Sequence, residues 1–131
     1  MSPRGNEISG VVSYRLARER LIRAVDEGVT KPEDVCDAQP ELRRVAHHHA
    51  TKLDEPCPIC RGDDLTTVRF AFGPGLPAAG RLVADDDELQ VLRGRGRPAT
   101  CYLVEVCRQC WWNHLRESFD ISGRRIASSA G

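Results

Sequence analysis

Two pairs of cysteines, each separated by two residues, are the part of the sequence best suited to bind a metal ion. They are Cys57-Pro58-Ile59-Cys60 and Cys107-Arg108-Gln109-Cys110. A two-residue spacer lets one tight turn present both thiols to the same ion. Zn²⁺ takes four ligands in a tetrahedron, at about 2.3 Å from each sulfur. We therefore predict one structural zinc ion held by Cys57, Cys60, Cys107 and Cys110.

The residues after each cysteine pair bear on how the turn is made. Gly62 lies two residues after Cys60. We expect it to take the positive φ that turns backbone N–H groups toward the thiolates, which glycine does without steric cost. The matching position in the second pair is Trp112. The sequence therefore predicts a different solution for the second turn.

The other two cysteines and a histidine triplet are weaker candidates for metal ligands. Cys36 has no partner at ligand spacing and is interpreted as a small core residue. Cys101 lies about 20 Å along a strand from Cys107, too far to share a tetrahedron. Histidines 47–49 would point about 100° apart on a helix and cannot converge on one ion. We expect packed or surface histidines near a helix C-terminus, with one acting alone as a ligand or acid/base as the alternative.

Apolar spacing predicts helices in the first 50 residues. A stripe that includes Tyr14, Leu21 and Val25 predicts a helix over residues 11–27, with its arginines mostly directed away. Thr30 and Glu33 fit a capping box that starts a short helix through Cys36. A second piece follows Pro40, over residues 41–50, with Leu42, Val45, Ala46 and His49 on its apolar side.

Strand patterns surround both cysteine pairs. Residues 65–72 alternate, with Val68, Phe70 and Phe72 on the predicted inner face. Residues 100–106 form a second predicted strand that leads into Cys107, and residues 111–119 form a third. Between the first two lie a Gly/Pro-rich loop and an acidic run, residues 85–88, interpreted as the start of a short helix.

These patterns predict an α+β protein. Its main part is a three-stranded antiparallel zinc ribbon with a short helical insertion, preceded by an N-terminal helical arm. The predicted segments are a flexible N-terminus (1–10), the helical arm (11–52), the zinc-ribbon domain (53–121) and a flexible tail (122–131).

Composition narrows the choice of partners and compartment. The 131 residues contain 19 Lys plus Arg and 19 Asp plus Glu, so the formal net charge is +0. No net field therefore attracts nucleic acid or an acidic membrane over the whole surface. The sequence shows no signal-peptide core and no apolar run of membrane-spanning length. We expect a cytoplasmic protein with no membrane partner, in which reduced thiols favour metal binding over disulfides.

Four short runs carry a resemblance to a known group of proteins. They are Asp34-Val35-Cys36-Asp37-Ala38, Cys57-Pro58-Ile59-Cys60-Arg61, Tyr102-Leu103-Val104-Glu105-Val106-Cys107 and Trp112-Asn113-His114-Leu115. The chain, from about Tyr14 to Phe119, resembles an actinobacterial family of small zinc-ribbon-like proteins classed as a domain of unknown function. The resemblance implies the fold and the four thiolates, with a glycine expected where this chain has Trp111. It implies no activity.

Function is predicted to be non-enzymatic. Four thiolates close the zinc shell, whereas a catalytic zinc keeps one position open. A thiol redox protein is a remote alternative, because a strand rather than a helix follows Cys60. We predict an adaptor that docks on a larger protein or ribonucleoprotein machine, such as the transcription or translation apparatus. The alternative is direct nucleic-acid binding, and the predicted partner or nucleic-acid contacts are Arg93, Arg95, Arg97, Arg108, Trp111 and Trp112.

Overall fold

A computed structural model of the protein describes residues 9–121. The flexible segments predicted for residues 1–8 and 122–131 lie outside the described residues. Residues 9 and 10, which were expected to belong to the flexible N-terminus, are part of a strand.

Within the described residues, helices and strands are mixed as predicted. The strands are β1 (Ser9–Ser13), β2 (Thr51–Lys52), β3 (Leu65–Phe72), β4 (Arg81–Leu82), β5 (Thr100–Cys107) and β6 (Asn113–Asp120). The α-helices are α1 (Arg15–Asp26), α2 (Pro40–His49) and α3 (Asp86–Gly94), and a 3₁₀ turn spans Pro32–Asp34. None of the helices in this part of the chain has the length and apolar character needed to cross a membrane.

The strands follow the order β1-β6-β5-β3-β2, with β4 also paired to β3. Both β2 and β4 run antiparallel to β3, with Thr51 opposite Thr67 and Phe70 opposite Leu82. The three strands predicted from the sequence are β3, β5 and β6, which are consecutive in this order, and α3 is the helical insertion between β3 and β5. The prediction did not contain β1, β2 or β4.

The start of the predicted first helix was wrong. Val11 and Val12 belong to β1, and α1 begins at Arg15. β-branched valines lose side-chain freedom in a helix and suit an extended strand. The backbone N–H of Tyr14 then donates to the carbonyl of Arg116 in β6 (3.0 Å), which fixes the entry to α1.

The chain divides into two compact units. The cysteine unit consists of residues 13–68 and 103–116, and the arginine unit contains the described residues 9–12, 69–102 and 117–121. The predicted helical arm and both cysteine pairs therefore fall in the same unit. This division differs from the boundary predicted near residue 53, because the helices pack on the turns that carry the cysteines.

The arginine unit has a small apolar core. Its buried residues are Ala71, Val83, Leu92, Ala99, Cys101, Phe119 and Ile121. Near the end of β3 the predicted alternation was wrong, since Ala71 is buried while Phe72 remains 37% exposed and packs edge-on against Tyr102.

The acidic run opens α3, as predicted. Asp85 is the N-cap residue, and its side chain accepts a hydrogen bond from the backbone N–H of Glu88 (2.9 Å). Glu88 in turn accepts from the N–H of Ala84 (3.3 Å). These contacts satisfy backbone donors at the helix start, so the carboxylates act in helix capping.

The cysteine unit has its core around the two cysteine pairs. Its buried members are Val35, Cys57, Leu65, Cys107 and Trp112. Leu21, Ile22 and Val25 of α1 pack against this cluster, as the helical stripe predicted for Leu21 and Val25. Two of the four thiols thus belong to the core itself, so the packing of α1 and the position of the cysteines depend on each other.

Candidate metal centre

The four predicted cysteines come together in space. The Sγ atoms of Cys57 and Cys110 are 3.7 Å apart, as are those of Cys60 and Cys107, and all four Sγ atoms lie within 4.8 Å of one another. A tetrahedron with metal–sulfur bonds of about 2.3 Å has sulfur–sulfur edges of about 3.8 Å. Four thiols this close together could hold one metal ion.

The two cysteine turns, hereafter the first knuckle (57–62) and the second knuckle (107–112), have the same construction. In the first, the N–H of Cys57 donates to the carbonyl of Gly62 (2.9 Å), and in the second the N–H of Cys107 donates to that of Trp112 (2.9 Å). The first knuckle leads into β3, and the second connects β5 to β6. Each pair of thiols is thus anchored to the sheet.

Backbone N–H groups inside each knuckle point at sulfur. The N–H of Ile59 lies 3.4 Å from the Sγ of Cys57, and the N–H of Gln109 lies 3.3 Å from the Sγ of Cys107. Such donors favour the thiolate over the thiol, since they stabilise negative charge on sulfur. At Cys57 these hydrogen bonds offset part of the effect of burial, which on balance raises the pKa of the thiol.

The residue that takes positive φ is not the predicted one. Arg61 (φ 66°) and Trp111 (φ 70°), each directly after the second cysteine of its knuckle, adopt the left-handed conformation. Gly62 does not have positive φ, and a Cβ there would overlap only the terminal amide of the exposed Gln109 side chain, which can move aside. The prediction that the second turn differs from the first was also wrong.

Packing against α2 explains how a tryptophan is tolerated in that conformation. The guanidinium of Arg43 lies 5.2 Å from the centroid of the Trp111 ring, and the ring of His47 meets it edge-on at 5.4 Å. The N–H of Ala38 also donates to the Trp111 carbonyl (3.2 Å). These contacts hold α2 against the second knuckle and offset the cost of positive φ, about 1–2 kcal/mol.

None of the three consecutive histidines joins the cysteine cluster, which contains only cysteines among the residues that the structure describes. All three side chains are exposed, including His49, which was expected on the apolar side of α2. The buried residues of this helix are Val45 and Ala46.

Cys36 and Cys101 both pack against apolar residues, but only Cys101 lies in a different unit from the four-cysteine cluster. Cys101 is fully buried in the core of the arginine unit, and this burial raises the pKa of its thiol to about 11. Cys36 is partly buried against the cysteine-unit core, and this burial raises the pKa of its thiol, while the neighbouring Cys110 thiol lowers it in part. Position 36 has no ligand spacing, so this proximity could not be predicted from the sequence.

Burial opposes ionisation of the cysteines themselves. It raises the pKa of the Cys57 thiol to about 11 and raises that of Cys110 as well. For Cys60 burial acts upward, yet hydrogen bonds from Gly62 and the neighbouring thiols lower the pKa overall. Four thiolates close together need a compensating cation, and a divalent metal ion supplies it.

Trp112 and Arg108 were predicted to contact nucleic acid, but both side chains bind other residues of the cysteine unit. Trp112 is fully buried, its ring stacks on His114 at 5.7 Å, and its indole N–H donates to Glu105, so it presents no face to a base. Arg108 donates to Asp64 through Nε (3.0 Å) and Nη2 (2.8 Å). This pairing, through its hydrogen bonds above all, lowers the pKa of the Asp64 carboxyl. Arg93, Arg95 and Arg97 lie in the arginine unit.

Sequence reasoning missed a buried ionic cluster next to the second knuckle. Glu105 in β5 is fully buried, and its Oε1 accepts from Arg18 Nε (2.7 Å) and from Arg116 Nη1 (3.1 Å). Its other oxygen accepts from the Trp112 indole. The available signal was a single glutamate inside an apolar strand pattern. The cluster joins α1, β5 and β6, and Arg18, which was predicted to point away from the apolar stripe, turns inward to complete it.

The left-handed residues give a matched pair of substitutions. Arg61→Gly should raise the free energy of unfolding by about 0.5–1 kcal/mol, because positive φ costs glycine nothing and the Arg61–Asp26 pair is long (3.8 Å) and exposed. Trp111→Gly should lower it by about 1 kcal/mol or more, because the contacts with α2 are lost. Urea unfolding of metal-loaded protein measures both, and a change of the same sign in the two variants would contradict this account.

Removal of the buried carboxylate should be costly. Glu105→Ala leaves Arg18 and Arg116 without their buried partner and should lower the free energy of unfolding by about 3–5 kcal/mol. Glu41→Ala is the matched control, since it breaks the exposed pair with Arg44 and should change little. Thermal unfolding followed by circular dichroism compares them. Equal, small effects would show that the buried cluster does not hold α1 in place.

Comparison with known proteins adds the family. Residues 6–130 match the "Family of unknown function (DUF5318)". One uncharacterized protein of Mycobacterium bovis and two of Mycobacterium tuberculosis are each 39% identical over 116 residues, which cover 88% of this chain and 85% of theirs. No solved structure matches. The resemblance found in the sequence is thus confirmed, and the chain belongs to the DUF5318 family.

Proposed function

We propose that the four thiols bind one structural Zn²⁺ ion, that β3, β5 and β6 form a zinc ribbon around it, and that the protein is a non-enzymatic cytoplasmic adaptor. The observation that carries this proposal is that four thiols, on two knuckles of the same construction, lie within 4.8 Å of one another. Such a site fixes the chain and leaves no ligand position for a substrate.

Zinc fits the donor set better than the common hard cations. Thiolates select soft or borderline metals, whereas Mg²⁺ and Ca²⁺ prefer oxygen ligands. Iron also accepts four sulfur ligands, so zinc and iron are the two ions to compare. Zinc has no redox chemistry and serves in structural sites with four ligands. A structural role suits a centre in which Cys57 and Cys107 are part of the packed core.

A structural role follows from what the ion would join. The first knuckle precedes β3 and the second follows β5, so one ion would link distant parts of the sequence. The core of the cysteine unit is small, and its buried residues include two of the ligands. Structural zinc contributes an apparent binding free energy of about 10–16 kcal/mol in small domains. We infer that folding of the cysteine unit depends on the metal.

Thiol redox catalysis is less well supported. Low-pKa catalytic thiols sit at the N-terminus of a helix, and the first knuckle here leads into strand β3. Burial also raises the pKa of Cys57 to about 11, which opposes the nucleophilic thiolate.

A protein or ribonucleoprotein partner suits the exposed face of α1. Leu16 is 66% exposed, and the exposed arginines Arg15, Arg20 and Arg23 lie on the same helix. An apolar centre with a charged rim is typical of protein interfaces. Direct nucleic-acid binding is less well supported, because Trp112 and Arg108 already contact other residues of the protein. The adaptor is therefore the function we propose, with the transcription or translation apparatus as the class of partner.

Cysteine substitutions test the metal. Cys57→Ser should abolish stoichiometric zinc binding and unfold the cysteine unit, because a buried ligand is lost. Cys36→Ala and Cys101→Ser are the matched controls and should retain one zinc ion per chain. Metal content by mass spectrometry and amide exchange by NMR are the two readouts. If the Cys57→Ser protein keeps its metal and its fold, the centre we propose does not exist.

Capture from extracts of the native cell tests the adaptor. Zinc-loaded protein should retain a specific partner, and Leu16→Glu should lose it because the charge disrupts the apolar centre of the interface. Glu19→Gln, on the same helix, should not. Retention should survive nuclease treatment and moderate salt. Partner binding that disappears with nuclease and is unchanged by Leu16→Glu would favour the nucleic-acid alternative.

A further inference from the structure

Residues 73–76 form a turn after β3, and two arginine side chains lie close to its backbone. The N–H of Leu76 donates to the carbonyl of Gly73 (3.0 Å), Pro74 occupies the second position, and Gly75 has φ +82°. These are the features of a type II turn, which needs a glycine at its third position. In this turn the central peptide presents the Pro74 carbonyl outward, where a donor can reach it.

Two arginines meet at that glycine. A Cβ on Gly75 would lie 2.5 Å from Nη1 of Arg97 and 3.4 Å from Nη1 of Arg95. Arg95 is anchored there, since its Nη2 donates to the Pro74 carbonyl (3.1 Å). Gly75 therefore serves two purposes, because a side chain would be strained by the backbone and would also displace the guanidinium of Arg97.

The positive charge at this turn has no carboxylate partner within residues 9–121. Neither Arg95 nor Arg97 forms an ion pair there, whereas Arg69 of the same unit pairs with Asp86 (3.1 Å). The Nε of Arg95 is buried and has no hydrogen-bond acceptor. Two neighbouring guanidinium groups repel each other, and a buried N–H without an acceptor is unfavourable. An anion placed between them would relieve both.

We propose that Arg95, Arg97 and the Gly75 turn form a binding site for a phosphate group. Guanidinium groups bind phosphate through paired, charge-assisted hydrogen bonds, and two of them can share one phosphate. Arg95 is the fixed ligand, and the exposed side chain of Arg97 moves to admit the anion. The site belongs to the arginine unit and contains no cysteine, so it goes beyond the metal centre and the adaptor function.

A role in helix capping does not account for the arrangement. Arg93 lies in the last turn of α3, where a positive charge complements the helix dipole. Arg95 is the C-cap residue of α3, but its guanidinium donates to the Pro74 carbonyl and not to the helix. Arg97 lies beyond the helix, next to Gly75. Arg93 is therefore outside the phosphate site, although it belongs to the same basic segment of the sequence.

Side-chain NMR of the full-length, zinc-loaded chain tests the site. Inorganic phosphate should shift the Arg95 Nε–H signal saturably, whereas sodium chloride at equal ionic strength should not. Arg97→Gln should weaken phosphate binding by about tenfold or more, because charge-assisted hydrogen bonds are lost. Arg93→Gln removes the same charge and should leave the affinity within about twofold. No saturable shift, or equal losses in the two variants, would overturn the proposal.

A ten-residue oligothymidine in the same experiment identifies the source of the phosphate. Shifts at Arg95 that saturate at lower concentration with the oligonucleotide, and that Arg97→Gln abolishes, would assign the site to a nucleic-acid backbone. Shifts at Arg95 with inorganic phosphate alone would assign it to a small phosphate ligand. Oligonucleotide shifts confined to the Trp111 indole, with none at Arg95 from either ligand, would refute it.

Discussion

Four sulfur atoms in one small volume impose the main constraint on the cysteine unit. Two of the distances between them are 3.7 Å and all are within 4.8 Å, which suits a single metal ion. Two of the four cysteines are buried in the apolar core. Without a cation, burial keeps thiols protonated and leaves polarizable but uncharged groups in contact. With one, the two knuckles become a cross-link between segments about fifty residues apart in the sequence. Side chains of α1 and α2 pack against the two knuckles and hold them in place.

A second charged cluster supports the first. Glu105 receives hydrogen bonds from Arg18 and Arg116, and from the indole of Trp112, which closes the second knuckle. The carboxylate is therefore fully paired, as burial of a charge requires. On the other side of the knuckle, Arg43 and His47 hold the ring of Trp111. Both tryptophans thus pack helices against the knuckle, and the ring of Trp112 is fully buried.

The sequence predicted the cysteine cluster, the three long strands and the capped α3, because each rests on a local pattern. Ligand spacing, strand alternation and the Asp85 cap are all visible within a few residues. The contacts that were missed are between distant segments. No local pattern around Cys36 predicts that it lies near Cys110. No local pattern around Arg18 predicts its ion pair with a glutamate 87 residues later. The short strands β2 and β4 have two residues each, too few for a periodic signal. The left-handed conformation of Trp111 belongs to the knuckle, as it does at Arg61, and packing on α2 offsets its cost where glycine was expected.

X-ray absorption at the zinc edge of the purified, reduced protein would show which atoms surround the ion. We expect one zinc ion per chain with four sulfur neighbours at about 2.3 Å and no nitrogen or oxygen ligand. The same spectrum should be obtained from the Cys36→Ala protein. A shell with fewer than four sulfurs, or folded protein that contains no metal, would contradict this expectation.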